Sequence, residues 1–296
     1  MPQDRPIELD ELILKEIDGV ITDQEFAELS ECLRRDPESL DYYLDFMTLC
    51  AGILKPGVPA IAGPQRPEAA EVLIARAAAV GAPLQLHGRD WWVRPHEDGL
   101  AVTTPAATTH WPAPGLAGLH QIENAGLAIM AAQALDELGL DAATIARGLR
   151  EARWPARLQR LTRGPLPTAL APGSTLLLDG GHNPAAGEAL AASLRAMADP
   201  RPLRLVVGML TTKDVSAFLR PLATVAQDLQ AVALGGDHDG WPPEILAGAA
   251  RELGLPASAA ASLPEAIARI AADGRPSLVL ICGSLYLAGA VLAENG

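Results

Sequence analysis

Leu176-Leu177-Leu178-Asp179-Gly180-Gly181-His182-Asn183-Pro184 is the stretch whose reading decides the fold. The apolar run Leu176 to Leu178 suits a short buried strand. Gly180 and Gly181 allow a sharp turn and close approach of a ligand to the backbone. Pro184 suits the first turn of a helix, where its missing N–H removes a donor that has no partner anyway. Asp179, His182 and Asn183 then sit at the carboxyl end of a strand, facing a helix N-terminus. In open α/β sheets ligands bind at such corners.

Outward from this corner, strands and helices alternate. Short apolar runs at Leu203–Val207, Leu229–Leu234 and Ser277–Ile281 predict strands. Ala185–Met197, Val215–Leu219, Pro243–Leu253, Pro264–Ala272 and Leu285–Leu292 predict helices. This rhythm implies an α/β fold with a mostly parallel sheet covered by helices. Upstream, Val58–Gly63, Leu84–Leu86 and Trp91–Val93 read as strands. Pro67–Val80, His120–Leu138 and Asp141–Ala152 read as helices. Residues 8–49 read as three helices, one opened by the capping box Thr22-Asp23-Gln24-Glu25 and one by Asp36-Pro37. The expected organisation is an acidic helical segment at 1–50, a partial α/β segment at 51–154 and a Rossmann-like domain at 155–296.

Composition narrows the function classes. Residues 1–50 hold 14 acidic residues against four basic ones, so most of the net charge of −13 sits there. Nucleic-acid binding needs a basic face and is not expected. No apolar run reaches the ~18 residues that span a bilayer, and no signal pattern is present, so no membrane association and a cytoplasmic location are expected. Cys32, Cys50 and Cys282 are odd in number and share no metal-type spacing, so no metal site is predicted from them.

Eight blocks stand in order. They are Ala51-Gly52-Ile53-Leu54-Lys55-Pro56-Gly57, Gly63-Pro64-Gln65, Gly88-Arg89-Asp90-Trp91 and His120-Gln121-Ile122-Glu123-Asn124-Ala125. After these come Trp154-Pro155-Ala156-Arg157-Leu158-Gln159, Asp179-Gly180-Gly181-His182-Asn183-Pro184, Gly208-Met209-Leu210-Thr211-Thr212-Lys213-Asp214 and Cys282-Gly283-Ser284-Leu285-Tyr286-Leu287. In this order and spacing, residues 51–296 resemble the C-terminal part of folylpolyglutamate synthase/dihydrofolate synthase, of the Mur ligase superfamily. The resemblance implies a Rossmann-like Mur ligase C-terminal domain at 155–296, preceded by a remnant of the ligase central ATPase domain. Residues 8–49 resemble the acidic helical region of FecR-like anti-sigma regulators and form an N-terminal helical cap on this reading.

The ligase resemblance implies ATP and Mg²⁺ as cofactors, and glutamate with a folate or pteroate as small-molecule substrates joined through an acyl phosphate. It places Asn124, Arg157, Asp179 and Asn183 at the nucleotide. A guanidinium such as Arg157 forks onto phosphate oxygens, and Asp179 suits ribose hydroxyls. It places Lys213 and Ser284 at the incoming amino acid, and His182 and Lys213 in catalytic roles. Each residue also has a plain structural role open to it. Asn124 suits a solvent-facing helix start, Arg157 a surface ion pair, Asp179 a helix cap and Ser284 the cap of the last helix.

The sequence departs from the resemblance in two places. The family's phosphate loop reads Gly-x-x-x-x-Gly-Lys-Ser/Thr, whereas Lys15, Lys55 and Lys213 all follow residues other than glycine. The ligands of the magnesium ion have no matching segment. Cys50 stands where the family carries a lysine. The reading is therefore a glutamate ligase half-site that is inactive alone, with a separate P-loop chain as a possible partner. The alternatives are a non-catalytic binding or regulatory module, or a chimeric or truncated product.

Overall fold

The computed structural model describes residues 12, 22–35, 54–65, 67–236 and 238–295. The helices expected over 8–19 and 36–49, and Cys50, lie outside the described residues apart from Leu12. In order, the elements are α1 (Asp23–Arg35), β1 (Ala60–Ala62), α2 (Pro67–Val80), β2 (Leu84–Leu86), β3 (Trp92–His96), β4 (Gly99–Thr103), β5 (Thr108–Pro112), α3 (His120–Gln133) and α4 (Ala142–Glu151). They continue as β6 (Gln159–Leu161), α5 (Pro165–Ala169), β7 (Thr175–Leu178), α6 (Pro184–Met197), β8 (Leu203–Val207), α7 (Val215–Ala223), β9 (Asp228–Ala231) and α8 (Pro243–Glu252). The chain ends with β10 (Ala257–Ala259), α9 (Leu263–Ala271), β11 (Leu278–Cys282) and α10 (Leu285–Asn295). Two compact units result: 23–35, 54–116 and 120–153 belong to the first, and 117–119 with 154–295 to the second.

The first unit holds a parallel pair, β1 and β2, and an antiparallel meander, β3-β4-β5. Its core is Trp91, Leu100, Val102, Trp111, Ala125, Ile129 and Leu149, among others. The meander's second and third strands were not expected from sequence. A two-residue turn at Glu97-Asp98 joins β3 to β4, with Glu97 at φ 46°. Gly99, opposite Pro112, is required because a Cβ there meets the neighbouring Trp111 carbonyl oxygen at 2.0 Å. The helix expected over His120–Leu138 stops at Gln133, and a 3₁₀ turn covers Asp136–Leu138. Such tightening satisfies carbonyls left over at a helix end.

The second unit is a six-stranded sheet in the order β10-β9-β8-β11-β7-β6. All neighbours are parallel except β6, which runs antiparallel to β7. Side chains alternate between faces, as the strand period of two requires. Leu177, Leu205, Val207 and Leu280 pack with Leu190, Phe218 and Leu246 of α6, α7 and α8. Leu176, Leu178, Val206, Val279 and Ile281 pack with Leu166, Ile267 and Val291 of α5, α9 and α10. Helices therefore cover both faces, which explains why β11 is buried along its whole length. The α/β class with a mostly parallel sheet is as the sequence predicts.

Candidate functional site

Strand order builds the site. β8, β11 and β7 are neighbours and parallel, so the loops after Val207, Cys282 and Leu178 emerge side by side at one edge of the sheet. Chain order reverses here: β9 and β10 continue outward from β8, and β11 then returns between β8 and β7. Ligands bind at such switch points.

The turn after β7 is held by Asp179, which is 4% exposed. Its Oδ1 accepts the Gly181 N–H at 2.7 Å and its Oδ2 accepts the Leu158 N–H at 2.8 Å. Gly180 N donates to Ala156 O at 3.0 Å. Ala156 and Leu158 are both in the left-handed region, at φ 53° and 43°. This is a sparsely populated conformation for side-chain-bearing residues, and it holds only where the surroundings fix it. Arg157 lies between them. Its guanidinium donates to Ala156 O at 3.2 Å and packs 3.4 Å from the Cβ position of Gly180. Asp179 thus ties the Arg157 loop to the glycine turn, and α6 is capped by Asn183 instead. Asn183 Oδ1 accepts the Ala186 N–H at 2.8 Å, with Pro184 at the first helical position.

His182 Nδ1 lies 2.8 Å from Gly180 O. A carbonyl only accepts, so Nδ1 carries the hydrogen and Nε2 of the neutral ring keeps its lone pair. After β11, Gly283 takes φ 103° and passes so close to β8 that a Cβ would lie 2.7 Å from Gly208 O. Ser284, 3% exposed, follows. Its Oγ accepts the Tyr286 N–H at 3.1 Å at the start of α10, which leaves the hydroxyl hydrogen for another acceptor. Cys282, beneath this turn, is buried, and burial followed by the nearby Asp179 charge pushes its thiol far above the ordinary range. It is a neutral core group and no nucleophile.

Lys213 comes from the loop after β8, just before α7, whose N-cap is Asp214. His182, Lys213 and Ser284 line one cavity of about 290 Å³ together with Leu210, Gly283, Leu285 and Tyr286. Among the described residues that line it none is acidic, and Lys213 brings a positive charge, so the cavity suits a carboxylate-bearing ligand of amino-acid size. Leu285 and Tyr286 were absent from the sequence-predicted site, although both stand directly after Ser284. Asn124 lies in the first unit, exposed on α3, where its Nδ2 donates to Gln121 Oε1 at 3.1 Å. A larger concavity of about 1260 Å³ in that unit, lined in part by His96, His110 and Arg150, holds none of the predicted residues. Among the described residues, no three His, Cys, Asp or Glu side chains are grouped to hold a metal ion. No described helix is long and apolar enough to cross a membrane.

Residues 165–285 match the family model of the Mur ligase glutamate ligase domain. The folylpolyglutamate synthase of Lacticaseibacillus casei is 30% identical over 250 residues, covering 81% of this chain and 55% of that protein. A Mycobacterium tuberculosis folylpolyglutamate synthase structure complexed with ADP and AMPPCP superposes with a TM-score of 0.71 at 27% identity, over 86% of this chain and 60% of that one. A bifunctional folylpolyglutamate synthase/dihydrofolate synthase structure with Mn, AMPPNP and L-glutamate bound gives 0.68 at 26% identity, over 85% of this chain and 57% of that one. The chain thus spans little more than half the length of these relatives.

Proposed function

This chain belongs to the Mur ligase superfamily, on its folylpolyglutamate synthase/dihydrofolate synthase branch, and from that premise we propose that it carries the amino-acid half-site and one wall of the nucleotide site of an ATP-dependent glutamate ligase. The observation that carries the proposal is the convergence of His182, Lys213 and Ser284 on one cavity. Residues 51–154 correspond, on this reading, to the end of the ligase central domain, and 155–296 to its C-terminal domain. Folate or pteroate is the acceptor class, and the cytoplasm the expected compartment.

Each residue has a role its chemistry allows. Lys213 pairs with a carboxylate of glutamate as a point charge. Ser284 donates its hydroxyl hydrogen to a carboxylate oxygen. His182 offers Nε2 as proton acceptor to the glutamate amine, which must lose protons to form an amide. Arg157, presented on the loop that Asp179 fixes, contacts phosphate. Asn183 caps α6 beside it. Bound ATP supplies the phosphoryl group that activates the acceptor carboxyl. Its β- and γ-phosphates call for a phosphate loop, and none is written in these 296 residues, where no glycine precedes a lysine. Nor does the described donor set fit a magnesium ion, so the proposal assigns no step to one.

The expected behaviour is ligand binding without turnover by this chain alone. Calorimetry with L-glutamate and with AMPPCP should show binding, weakened at least severalfold for glutamate by Lys213→Ala and for nucleotide by Arg157→Ala. Absence of L-glutamate binding by the wild type overturns the half-site reading. Product formation from ATP, Mg²⁺, glutamate and dihydropteroate by the purified chain overturns the inactivity. The missing Gly-Lys pair favours a second reading, in which the same cavity serves a binding or regulatory module; turnover restored by adding a P-loop-bearing fragment of a relative supports the half-site, and binding with no turnover in that mixture supports the module.

A further inference from the structure

Two residues of the cavity lining, Leu285 and Tyr286, are about half exposed, at 53% and 51%. A large ring in that position is free to swing unless something holds it. The ring of His238 stacks on Tyr286, with centroids 3.7 Å apart and planes inclined by 25°. His238 stands on the loop between β9 and α8. That loop is clamped to the segment that presents Leu210 and Lys213. Thr211 N donates to Asp239 O at 2.9 Å, and Thr211 Oγ1 to Asp239 Oδ2 at 2.7 Å. Leu210 bridges Gly240, Trp241 N donates to Met209 O at 2.8 Å, and Trp241 Nε1 donates to Lys213 O at 3.3 Å.

We propose that His238 is a positioning residue for the amino-acid cavity: its stack fixes the Tyr286 ring as a wall and thereby sets the length of acidic side chain the cavity accepts. The proposal rests on the half-site reading above. It adds a residue outside the ordered blocks, on a loop that none of the predicted site residues occupies. Stacking immobilises the ring without touching the ligand, so the effect belongs to affinity and selectivity and not to the fold. An exposed imidazole on a loop contributes little to global stability.

The test is calorimetry of the full chain with L-glutamate and L-aspartate, alongside thermal unfolding. His238→Ala should weaken L-glutamate binding about threefold to tenfold, the range expected for one lost aromatic pair, and narrow the preference over L-aspartate. His238→Phe, which keeps a stacking ring and removes the imidazole nitrogens, should restore affinity to within about twofold of wild type. The unfolding temperature should be unchanged in both. Wild-type affinity in His238→Ala overturns the proposal, as does a His238→Phe variant as weak as His238→Ala, which would assign the effect to the imidazole nitrogens. A wild type that binds no L-glutamate overturns this proposal together with the half-site reading. Binding by the wild type that is unmoved in His238→Ala overturns this proposal alone.

Discussion

The carboxylate of Asp179 holds the backbone of Leu158 in the left-handed region: the Leu158 N–H donates to Oδ2 at 2.8 Å while φ stands at 43°. The same carboxylate holds the turn of Gly181. Removing it leaves two buried amides without this partner and frees a strained loop. Asp179→Ala should therefore cost about 2–4 kcal/mol of stability. Arg157→Ala, which takes away a half-buried guanidinium bonded to one carbonyl, should cost about 1 kcal/mol or less. Urea denaturation of the two variants measures the difference, and equal losses would contradict the holding role.

Gly180 and Gly283 look alike in sequence and differ in what a methyl group would strike. At Gly180 the obstacle is the tip of the exposed Leu285 side chain, at 2.3 Å, which can rotate away. At Gly283 it is the backbone oxygen of Gly208 at 2.7 Å, and φ is 103°. Gly283→Ala should destabilise by about 3 kcal/mol or more, through strain and separation of β11 from β8. Gly180→Ala should stay within about 1 kcal/mol but displace Leu285 at the cavity rim and weaken L-glutamate binding. Paired melts and titrations of the two alanine variants check this.

Asn295 joins the end of α10 to the start of α5. Its Oδ1 accepts the Leu166 N–H at 3.0 Å, and its Nδ2 donates to Val291 O at 2.9 Å. Gly164 leaves room for it, since a Cβ there lies 2.6 Å from Oδ1. Asn295→Ala should cost about 1–2 kcal/mol, the loss of a buried cap. Hydrogen exchange should show faster opening of α5 first; unchanged protection at Leu166 would refute the link.

Asp199 is held well below the ordinary carboxylate range, at about 2, chiefly by its hydrogen bonds from Arg201, with the Arg201 charge adding a smaller share. Its folded-state value is depressed, so the stabilisation is present above the unfolded value near 4 and disappears as pH falls through about 2. The pair keeps partial contact with solvent, its side chains being 26% and 19% exposed, so Asp199→Asn should cost about 1 kcal/mol at pH 7. The gap between variant and wild type should close between roughly pH 4 and 2. A gap that widens on acidification would reverse the assignment.

Much of the second unit was legible because its signals are local. Leu203–Val207 and the strand at Leu176–Leu178 are short apolar runs, and Pro184 marks a helix start that the structure caps with Asn183. The meander of β4 and β5 was harder to read. Its alternation is broken by Gly99 and Pro112, and its partners are set by tertiary pairing. His182, Lys213 and Ser284 were legible as separate motifs, and their meeting follows from strand order. Asp179 as a tie to Leu158 was not legible, because the two residues are 21 positions apart and Leu158 carries no glycine to signal its left-handed backbone. His238 gave no signal at all, since a stack depends on a loop path that no period encodes.

β11 is the latest strand of the sheet in the chain and sits at its centre, flanked by β8 and β7. During synthesis the other five strands emerge first, with a gap where their middle belongs. β7 and β8 do not pair with each other; residues 278–282 supply the strand that bonds to both. The edges facing that gap are open to other chains in the interval, and closing it joins segments distant in sequence, a slow step by nature. The cavity is therefore completed at the same moment as the sheet. A nascent chain stopped before Leu278 lacks both the joining strand and the cavity residues Ser284 and Tyr286, so ligand binding becomes a report that synthesis has passed Tyr286.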